Sequence, residues 1–428
     1  MTYHRRPEIK VAPPGPLAQK IIAQDQQYAS PSYIKEYPLV VSHAHEMWVH
    51  DVDGNCYMDL MAGIAVASTG HCHPQVVESI RQASEKLLHI CGTDFYYESF
   101  SSLCERLANL LPGMGSQKVF LTNSGTEAVD GVIKLARHHT KRAYLIAFKG
   151  AFHGRTYGAI SLNASKTVQK SFFGPLLPGV IHVPYACNPF EVIEQDLFIH
   201  QVAPQEVAAI IVEPILGEGG YVIPPTSFLQ DLRTICDKYG ILLIFDEIQS
   251  GIGRTGHMLA ASYFGVMPDA FLIAKGLGSG LPIGAIVART EVMTWPRGSH
   301  GSTFGGNPVA CAAALKTLDI VQSLLPQIQE VGALFLQGLR ALKKKHSVIA
   351  DVRGVGLMIG CEFLHPLTKQ PLKQYVSNLE QQAFRHGLLL LSCGQSTIRF
   401  APPLVMIKEE VDVALEILDL CLTQLRVE

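Results

Sequence analysis

Residues 65–320 predict an α/β fold built on a mostly parallel sheet, with a smaller α+β unit beside it. Three observations carry this. Seven short apolar runs recur: Lys118–Leu121, Tyr144–Phe148, Ile181–Val183, Ala208–Val212, Leu242–Phe245, Phe271–Ala274 and Gly284–Ala288, with helical stretches between them. Continuous apolar strands separated by helices belong to a sheet covered on both faces, where no side chain meets water. The pattern changes on either side of this region, and 428 residues are too many for one ordinary core.

The elements follow in order. Residues 1–38 carry prolines at 7, 13, 14, 16, 31 and 38, which predicts an arm with one short helix over Leu17–Tyr28. Leu39-Val40-Val41, Met47-Trp48-Val49 and Cys56-Tyr57-Met58, broken by Asp53-Gly54-Asn55, predict a small antiparallel meander. Residues 1–64 are therefore the arm and part of a small domain, and 65–320 the large domain. Beyond it, 321–428 predict a C-terminal small domain. Its elements are a helix over Leu325–Lys345, a strand-turn-strand over Val352–Phe363, a helix over Tyr375–His386, strands at Leu388–Leu391 and Ile398–Phe400, and a last helix over Lys408–Leu425.

Hydrophobic residues make up 48% of the chain and charged residues 17%, a buried globular composition rather than a disordered one. The formal net charge of −2 argues against a nucleic-acid partner, which selects for clustered Lys and Arg. Small molecules and a second copy of the chain are the expected partners. The ten cysteines form no C-x-x-C pair and read as reduced thiols, so a cytoplasmic location is expected. Met1–Pro16 lacks an apolar signal core, and no uninterrupted apolar run approaches the ~18 residues of a membrane span.

Lys275 carries the chemistry. It ends the run Phe271–Ala274 and opens Gly276-Leu277-Gly278-Ser279-Gly280. The earlier run Leu242–Phe245 ends in Asp246-Glu247. A lysine and an aspartate at the carboxyl ends of two buried strands suit pyridoxal phosphate. The amine forms a Schiff base with the aldehyde, and the carboxylate keeps the pyridine nitrogen protonated. Lys149 also follows an apolar strand and is a rival, although no acidic strand end lies at a matching distance from it.

Other motifs have two readings each. Thr122-Asn123-Ser124-Gly125-Thr126-Glu127-Ala128 follows a strand and opens a helix, which suits either a phosphate on free N–H groups or an ordinary N-cap at Ser124 or Thr126. Gly251–Gly256 matches G-x-G-x-x-G, but Asp246–Ser250 separate it from its strand, so a loop is favoured over a dinucleotide site. His71-Cys72-His73 is too cramped for a tetrahedral metal site and reads as a turn before Pro74, so no metal is expected. His138-His139 lies late in a helix, and His43 and His45 read as surface strand residues. Arg155 and Arg399 serve either a structural ion pair or bidentate capture of a carboxylate.

Six segments now occur in order: Asn-Ser-Gly-Thr-Glu-Ala (123–128), Gly-Ala-Phe-His-Gly-Arg-Thr (150–156), Glu-Pro-Ile-Leu-Gly-Glu-Gly-Gly (213–220), Phe-Asp-Glu-Ile-Gln-Ser-Gly (245–251), Ala-Lys-Gly-Leu (274–277) and Gly-Ser-Thr-Phe-Gly-Gly-Asn-Pro (301–308). Together they resemble the class III (omega) aminotransferases, nearest to those of 4-aminobutyrate, ornithine and acetylornithine. The resemblance runs from about Val49 to Pro403. It implies the fold type I architecture, with a seven-stranded sheet and a small domain built from both chain ends. It also implies a homodimer, or a tetramer of paired dimers, with active sites at the interface. Lys275 would form the Schiff base and Asp246 would pair with the pyridine nitrogen. Ser124, Gly125 and Thr126, with Thr303 of the other subunit, would hold the phosphate. Phe152 and Ile248 would sandwich the ring, Gln249 would reach its phenolic oxygen, and His153 and Glu213 would complete the cofactor site.

The resemblance also implies a substrate logic. 4-Aminobutyrate has no α-carboxylate, whereas 2-oxoglutarate has two carboxylates, so an uncovered arginine facing the donor would be costly to desolvate. Glu218 matches the glutamate that covers this arginine, Arg399 matches the arginine, and Arg155 matches the arginine for the distal carboxylate. Ile64 would line the donor pocket. The expected activity is transfer of the terminal amine of 4-aminobutyrate, or of a similar ω-amino acid such as ornithine, to 2-oxoglutarate by a ping-pong mechanism. Leu216 departs from the family's common glutamine, and Gly92-Thr93 lies in a variable stretch. Pro13-Pro14-Gly15-Pro16 resembles a branch that includes racemases and epimerases of neutral amino acids, the alternative activity.

Overall fold

The computed structural model describes residues 6–426; the first five residues of the arm and the last two of the chain lie outside the described residues. Its strands are β1 (Val41–His45), β2 (Trp48–Asp51), β3 (Cys56–Asp59), β4 (Gln117–Thr122), β5 (Tyr144–Phe148), β6 (Val180–Val183), β7 (Val207–Val212), β8 (Leu242–Asp246), β9 (Ala270–Ile273), β10 (Gly284–Arg289), β11 (Ile349–Val355), β12 (Met358–Phe363), β13 (Leu388–Leu389), β14 (Leu391–Cys393) and β15 (Thr397–Phe400). The seven expected runs form one sheet in the order β4-β10-β9-β8-β7-β5-β6. β10 alone runs antiparallel to its neighbours; the other pairings are parallel.

β7, β8 and β9 are buried at every position, which is why their sequences show no alternation. The alternation exists in space, because successive side chains point to opposite faces. Leu243 and Phe245 pack in one core cluster with Phe228, Leu232 and Ile235 of the helix Thr226–Tyr239. Leu242 and Ile244 pack in another with Val129, Val132 and Ala136 of the helix Gly125–Thr140. Each large side chain buried this way stabilises the fold by ~1.5–3 kcal/mol.

The meander β1-β2-β3 takes β13 as a fourth strand, parallel to β3, so both ends of the chain share one sheet. A second small sheet has the order β11-β12-β15-β14. The strand expected over Leu388–Leu391 divides at Leu390. Leu388 and Leu389 pair with Met58 and Asp59, whereas Leu391 pairs with Arg399 in the other sheet.

The helix expected over Leu325–Lys345 is the second half of one helix, Pro308–Lys345. Pro326 looks like a first-turn proline in sequence. The true cap is Asn307, whose Oδ1 accepts the Val309 and Ala310 N–H groups at 2.9 and 3.2 Å. The expected division at 320/321 falls inside this helix. By length and mean hydropathy the helix could also cross a membrane, which the sequence did not suggest. Here Val321, Ile328, Phe335 and Leu339 are buried in the core.

Because β4, β8 and β9 run the same way, their carboxyl ends meet at one sheet edge. That edge is where open α/β sheets place their ligands.

Candidate active site

Asp246 ends β8 and Lys275 follows β9, and both line a cavity of ≈ 320 Å³ at this edge. Asp246 is held by the protein at both oxygens. Oδ1 accepts the Ile248 N–H at 3.1 Å, and Oδ2 pairs with His153 Nδ1 at 2.6 Å. His153 is buried, and its backbone N–H donates to Asn163 Oδ1 at 2.6 Å. Burial disfavours the imidazolium, but the hydrogen bond and charge of Asp246, with Glu213, raise the His153 pKa above its ordinary value. Its Nε2 has no partner among the described residues.

Lys275 stands in the left-handed region at φ 40°, a conformation unusual for a non-glycine residue and common at functional sites. Burial lowers its pKa; Glu218 opposes the shift and Arg399 adds to it. A lowered pKa favours the neutral amine, the form a nucleophile or proton acceptor needs. The rival Lys149 is exposed. The structure thus separates two lysines that look alike in sequence.

The start of the helix Gly125–Thr140 also lines the cavity. Ser124 is its N-cap, with Oγ accepting the Glu127 N–H at 3.3 Å. The Thr126 hydroxyl pairs with Thr156 Oγ1 at 2.7 Å and accepts the Arg155 and Thr156 N–H groups at 3.0 and 3.1 Å. Thr126 therefore uses its hydroxyl to anchor the 154–156 loop, which leaves the backbone N–H groups of the helix start as its offering to an anion. A Cβ on Gly125 would meet Ile248 Cδ1 at 2.7 Å, so only glycine lets Ile248 and the helix start approach this closely.

Phe152, Ile248, Gln249 and Glu213 line the same cavity. Glu213 accepts the Phe152 N–H at 2.9 Å and the Gly217 N–H at 2.8 Å. Burial pushes its pKa up to about 7, with the charge of His153 opposing the rise. Gln249 Oε1 accepts the hydroxyl of Tyr221 at 2.7 Å. A pyridine ring bearing an aldehyde and a phosphate fits this set. A carboxylate braced by an imidazole, an uncharged-leaning amine, helix N–H groups and two apolar walls converge on one cavity.

Five candidates lie outside that lining. Arg399 on β15 is buried and paired with Glu218. Burial would lower the Arg399 pKa, but Glu218 raises it; burial would raise Glu218, but Arg399 lowers it. Arg399 Nε has no partner among the described residues. Arg155 is exposed, its guanidinium 5.5 Å from the centre of the Phe152 ring. Ile64 is part of a left-handed turn in which Ala62, Gly63, Ile64 and Ala65 have φ of 48°, 61°, 67° and 60°. Asp59 supports that turn. Its Oδ1 accepts the Met61 and Ala62 N–H groups at 2.8 Å each, and its Oδ2 pairs with His71 at 2.8 Å. Val66, just beyond, does line the cavity. Thr303 lies in the exposed segment before the long helix and is not among the residues that line this chain's own cavity.

Residues that sequence reasoning missed include Tyr221 and the cavity segment Gly280–Ile283. The remaining motifs resolve blandly. Gly251–Gly256 is a packed loop: Arg254 is buried on the carbonyls of Leu357 and Pro402, and a Cβ on Gly256 would meet Gln329 Cγ at 2.6 Å. His73 caps the helix Pro74–Lys86, and among the described residues no cluster of His, Cys, Asp or Glu could hold a metal ion.

Residues 29–422 match the family described as aminotransferase class-III. The chain is 40% identical to an acetylornithine aminotransferase of Caldanaerobacter subterraneus, over 95% of this chain and all of that one. It is 37% identical to an alanine/serine racemase of Pyrococcus horikoshii, over 96% of this chain and 92% of that one. Among solved structures, an amine transaminase from an uncultivated Pseudomonas species, in its PLP-bound form, superposes with a TM-score of 0.84. It has 28% identity and covers 93% of this chain and 97% of its own. The chain belongs to the class-III aminotransferases, pyridoxal phosphate-dependent enzymes of fold type I.

Proposed function

We propose that this enzyme moves the terminal amine of an ω-amino acid, 4-aminobutyrate or a similar donor such as ornithine, to 2-oxoglutarate. The observation that carries the proposal is the buried Arg399 covered by Glu218 beside the cavity. A buried arginine with a removable carboxylate partner serves two substrates of different charge. With Glu218 in place, the site accepts a donor whose reacting carbon bears no carboxylate. With Glu218 displaced, Arg399 binds the α-carboxylate of 2-oxoglutarate or glutamate. Arg155 is the candidate for the carboxylate at the far end.

Pyridoxal phosphate, when bound, supplies a ring that takes up the electrons left when the substrate carbon loses its proton. The chain's own residues do the rest. The helix start at Gly125 and Thr126 would bind the phosphate, and Phe152 and Ile248 would hold the ring. Asp246, oriented by His153, keeps a proton on the ring nitrogen. Lys275 would hold at its Nζ the proton that leaves the substrate carbon. Tyr221 holds Gln249 through its hydroxyl, and Gln249 would reach the ring oxygen.

Homodimerisation is part of this proposal. Leu88, Phe95, Tyr96 and Phe304 are exposed around the segment that bears Thr303, and the Phe304 ring lies tilted against His89, centroids 5.0 Å apart. Exposed apolar groups gathered in one area suit a protein interface, and across it Thr303 would reach the partner's phosphate. A cytoplasmic setting, from the unpaired cysteines, completes the proposal.

The alternative is racemisation of a neutral amino acid, favoured by the racemase relative, whose match extends over nearly the whole chain. The holoenzyme is incubated with 4-aminobutyrate and 2-oxoglutarate, and glutamate is assayed. Stoichiometric glutamate supports the proposal. No glutamate from any ω-amino acid, with exchange of the α-hydrogen of alanine in D2O, supports the alternative.

A further inference from the structure

Glu218 sits on a closed turn. Leu216 and Val222 exchange both backbone hydrogen bonds at 3.0 Å, which ties the two stems together. The first stem is held by the large domain, where the Gly217 N–H donates to Glu213 Oε2 at 2.8 Å. The carbonyl of Glu218 accepts the Gly394 N–H at 2.8 Å, from the connection between β14 and β15.

The second stem is held by Arg353 of β11. Its Nη2 donates to the Gly220 carbonyl at 2.7 Å and to Thr397 Oγ1 at 3.4 Å. Its Nε donates to the Tyr221 carbonyl at 3.1 Å. Its Nη1 donates to Asp351 Oδ2 at 2.8 Å and Glu362 Oε2 at 2.7 Å. Every N–H of the guanidinium has an acceptor, and two acceptors are carbonyls of the Glu218 turn. Those two residues hold unusual backbone: Gly220 at φ 123° and Tyr221 at φ 50°. A buried tyrosine in the left-handed region needs its surroundings to keep it there. The same Tyr221 places Gln249 through its hydroxyl.

We infer that Arg353 is a positioning residue for substrate selection. It fixes the turn so that Glu218 covers and uncovers Arg399 by side-chain rotation on an immobile backbone. The inference rests on the reading of Glu218 as a removable cover. Loosening the turn weakens the cover, which the ω-amine half-reaction needs and the glutamate half-reaction does without.

Holoenzymes of the wild type, Arg353→Gln, Arg353→Lys, Glu218→Gln and the double variant Arg353→Gln/Glu218→Gln are compared. Single-turnover rates are measured with 4-aminobutyrate and with glutamate. Calorimetry gives the affinity for glutarate, a dicarboxylate with no amine. Arg353→Gln is expected to lower the 4-aminobutyrate-to-glutamate rate ratio by about tenfold and to tighten glutarate binding. Arg353→Lys, which keeps a donor for one carbonyl, is expected to lie between. In the Glu218→Gln background, Arg353→Gln adds no further change in the ratio, as expected for residues acting through one another. Equal losses with both substrates in Arg353→Gln and Arg353→Lys, with glutarate affinity unchanged, overturn the inference. If Glu218→Gln shifts the ratio while neither Arg353 variant does, only the positioning role fails. If Glu218→Gln itself leaves the ratio unchanged, the cover reading fails and takes this inference with it.

Discussion

Two carboxylates serve this site, each paired with a basic side chain, and the pairs are built differently. In Asp246–His153 the carboxylate ends a central strand, and the protein occupies both of its oxygens. In Glu218–Arg399 the carboxylate rides on a turn, and the arginine keeps an Nε without a partner. The first carboxylate is braced at one oxygen by its own strand end and at the other by a buried imidazole, so it suits a fixed task at the cofactor. The second pair has a cation that can exchange partners, so it suits a task that alternates. Removing Glu218 leaves the Arg399 charge buried and unpaired, a penalty of about 3–5 kcal/mol. The chemistry differs in whether a substrate carboxylate can take the vacant place.

The largest effect that breaks the comparison comes from the amine both pairs act upon. Lys275→Ala should lower turnover with every donor by roughly 10³-fold or more and abolish the visible band of the holoenzyme. Retained turnover would remove Lys275 from the mechanism. Asp246→Asn should slow the 4-aminobutyrate and glutamate half-reactions alike, by roughly 10²–10⁴-fold. A loss confined to one donor would mean that the fixed pair also selects substrates. Glu218→Gln should slow the 4-aminobutyrate half-reaction by about tenfold more than the glutamate half-reaction.

The smallest effect concerns Glu380, a buried carboxyl of the C-terminal domain whose Oε1 has no partner among the described residues. Burial pushes its pKa up to about 7, against hydrogen bonds from Ser392. The unfolded value is about 4.3, so the folded state holds its proton longer as pH rises. Stability from this group is therefore intact below the unfolded value and falls as pH climbs from there through about 7. Glu380→Gln should remove that loss, stabilising the protein by about 1–3 kcal/mol more at pH 8 than at pH 5. Thermal unfolding at the two pH values tests this, and a pH-independent difference would mean Glu380 gains a partner in solution.

The sheet was legible because fully buried parallel strands leave continuous apolar runs. The direction of β10 was not, since its run looks like the others. Leu390 hid a strand boundary because leucine serves both sheets equally well, and Pro326 hid the true start of the long helix. Asp246 and Lys275 were legible as polar residues ending apolar strands. Arg353 and Tyr221 were not. Each looks ordinary in its own segment, and their contact joins parts of the chain more than a hundred residues apart. Glu218 and its pairing with Arg399 came from resemblance alone, since nothing local marks a carboxylate and an arginine so distant in sequence as a pair.

The central claim is tested most directly by giving the holoenzyme 4-aminobutyrate alone and following its visible band. The account predicts that the band is lost in one turnover and restored by 2-oxoglutarate, with one glutamate formed per site. A band that 4-aminobutyrate and ornithine leave unmoved, while alanine exchanges its α-hydrogen in D2O without a keto acid, would contradict it.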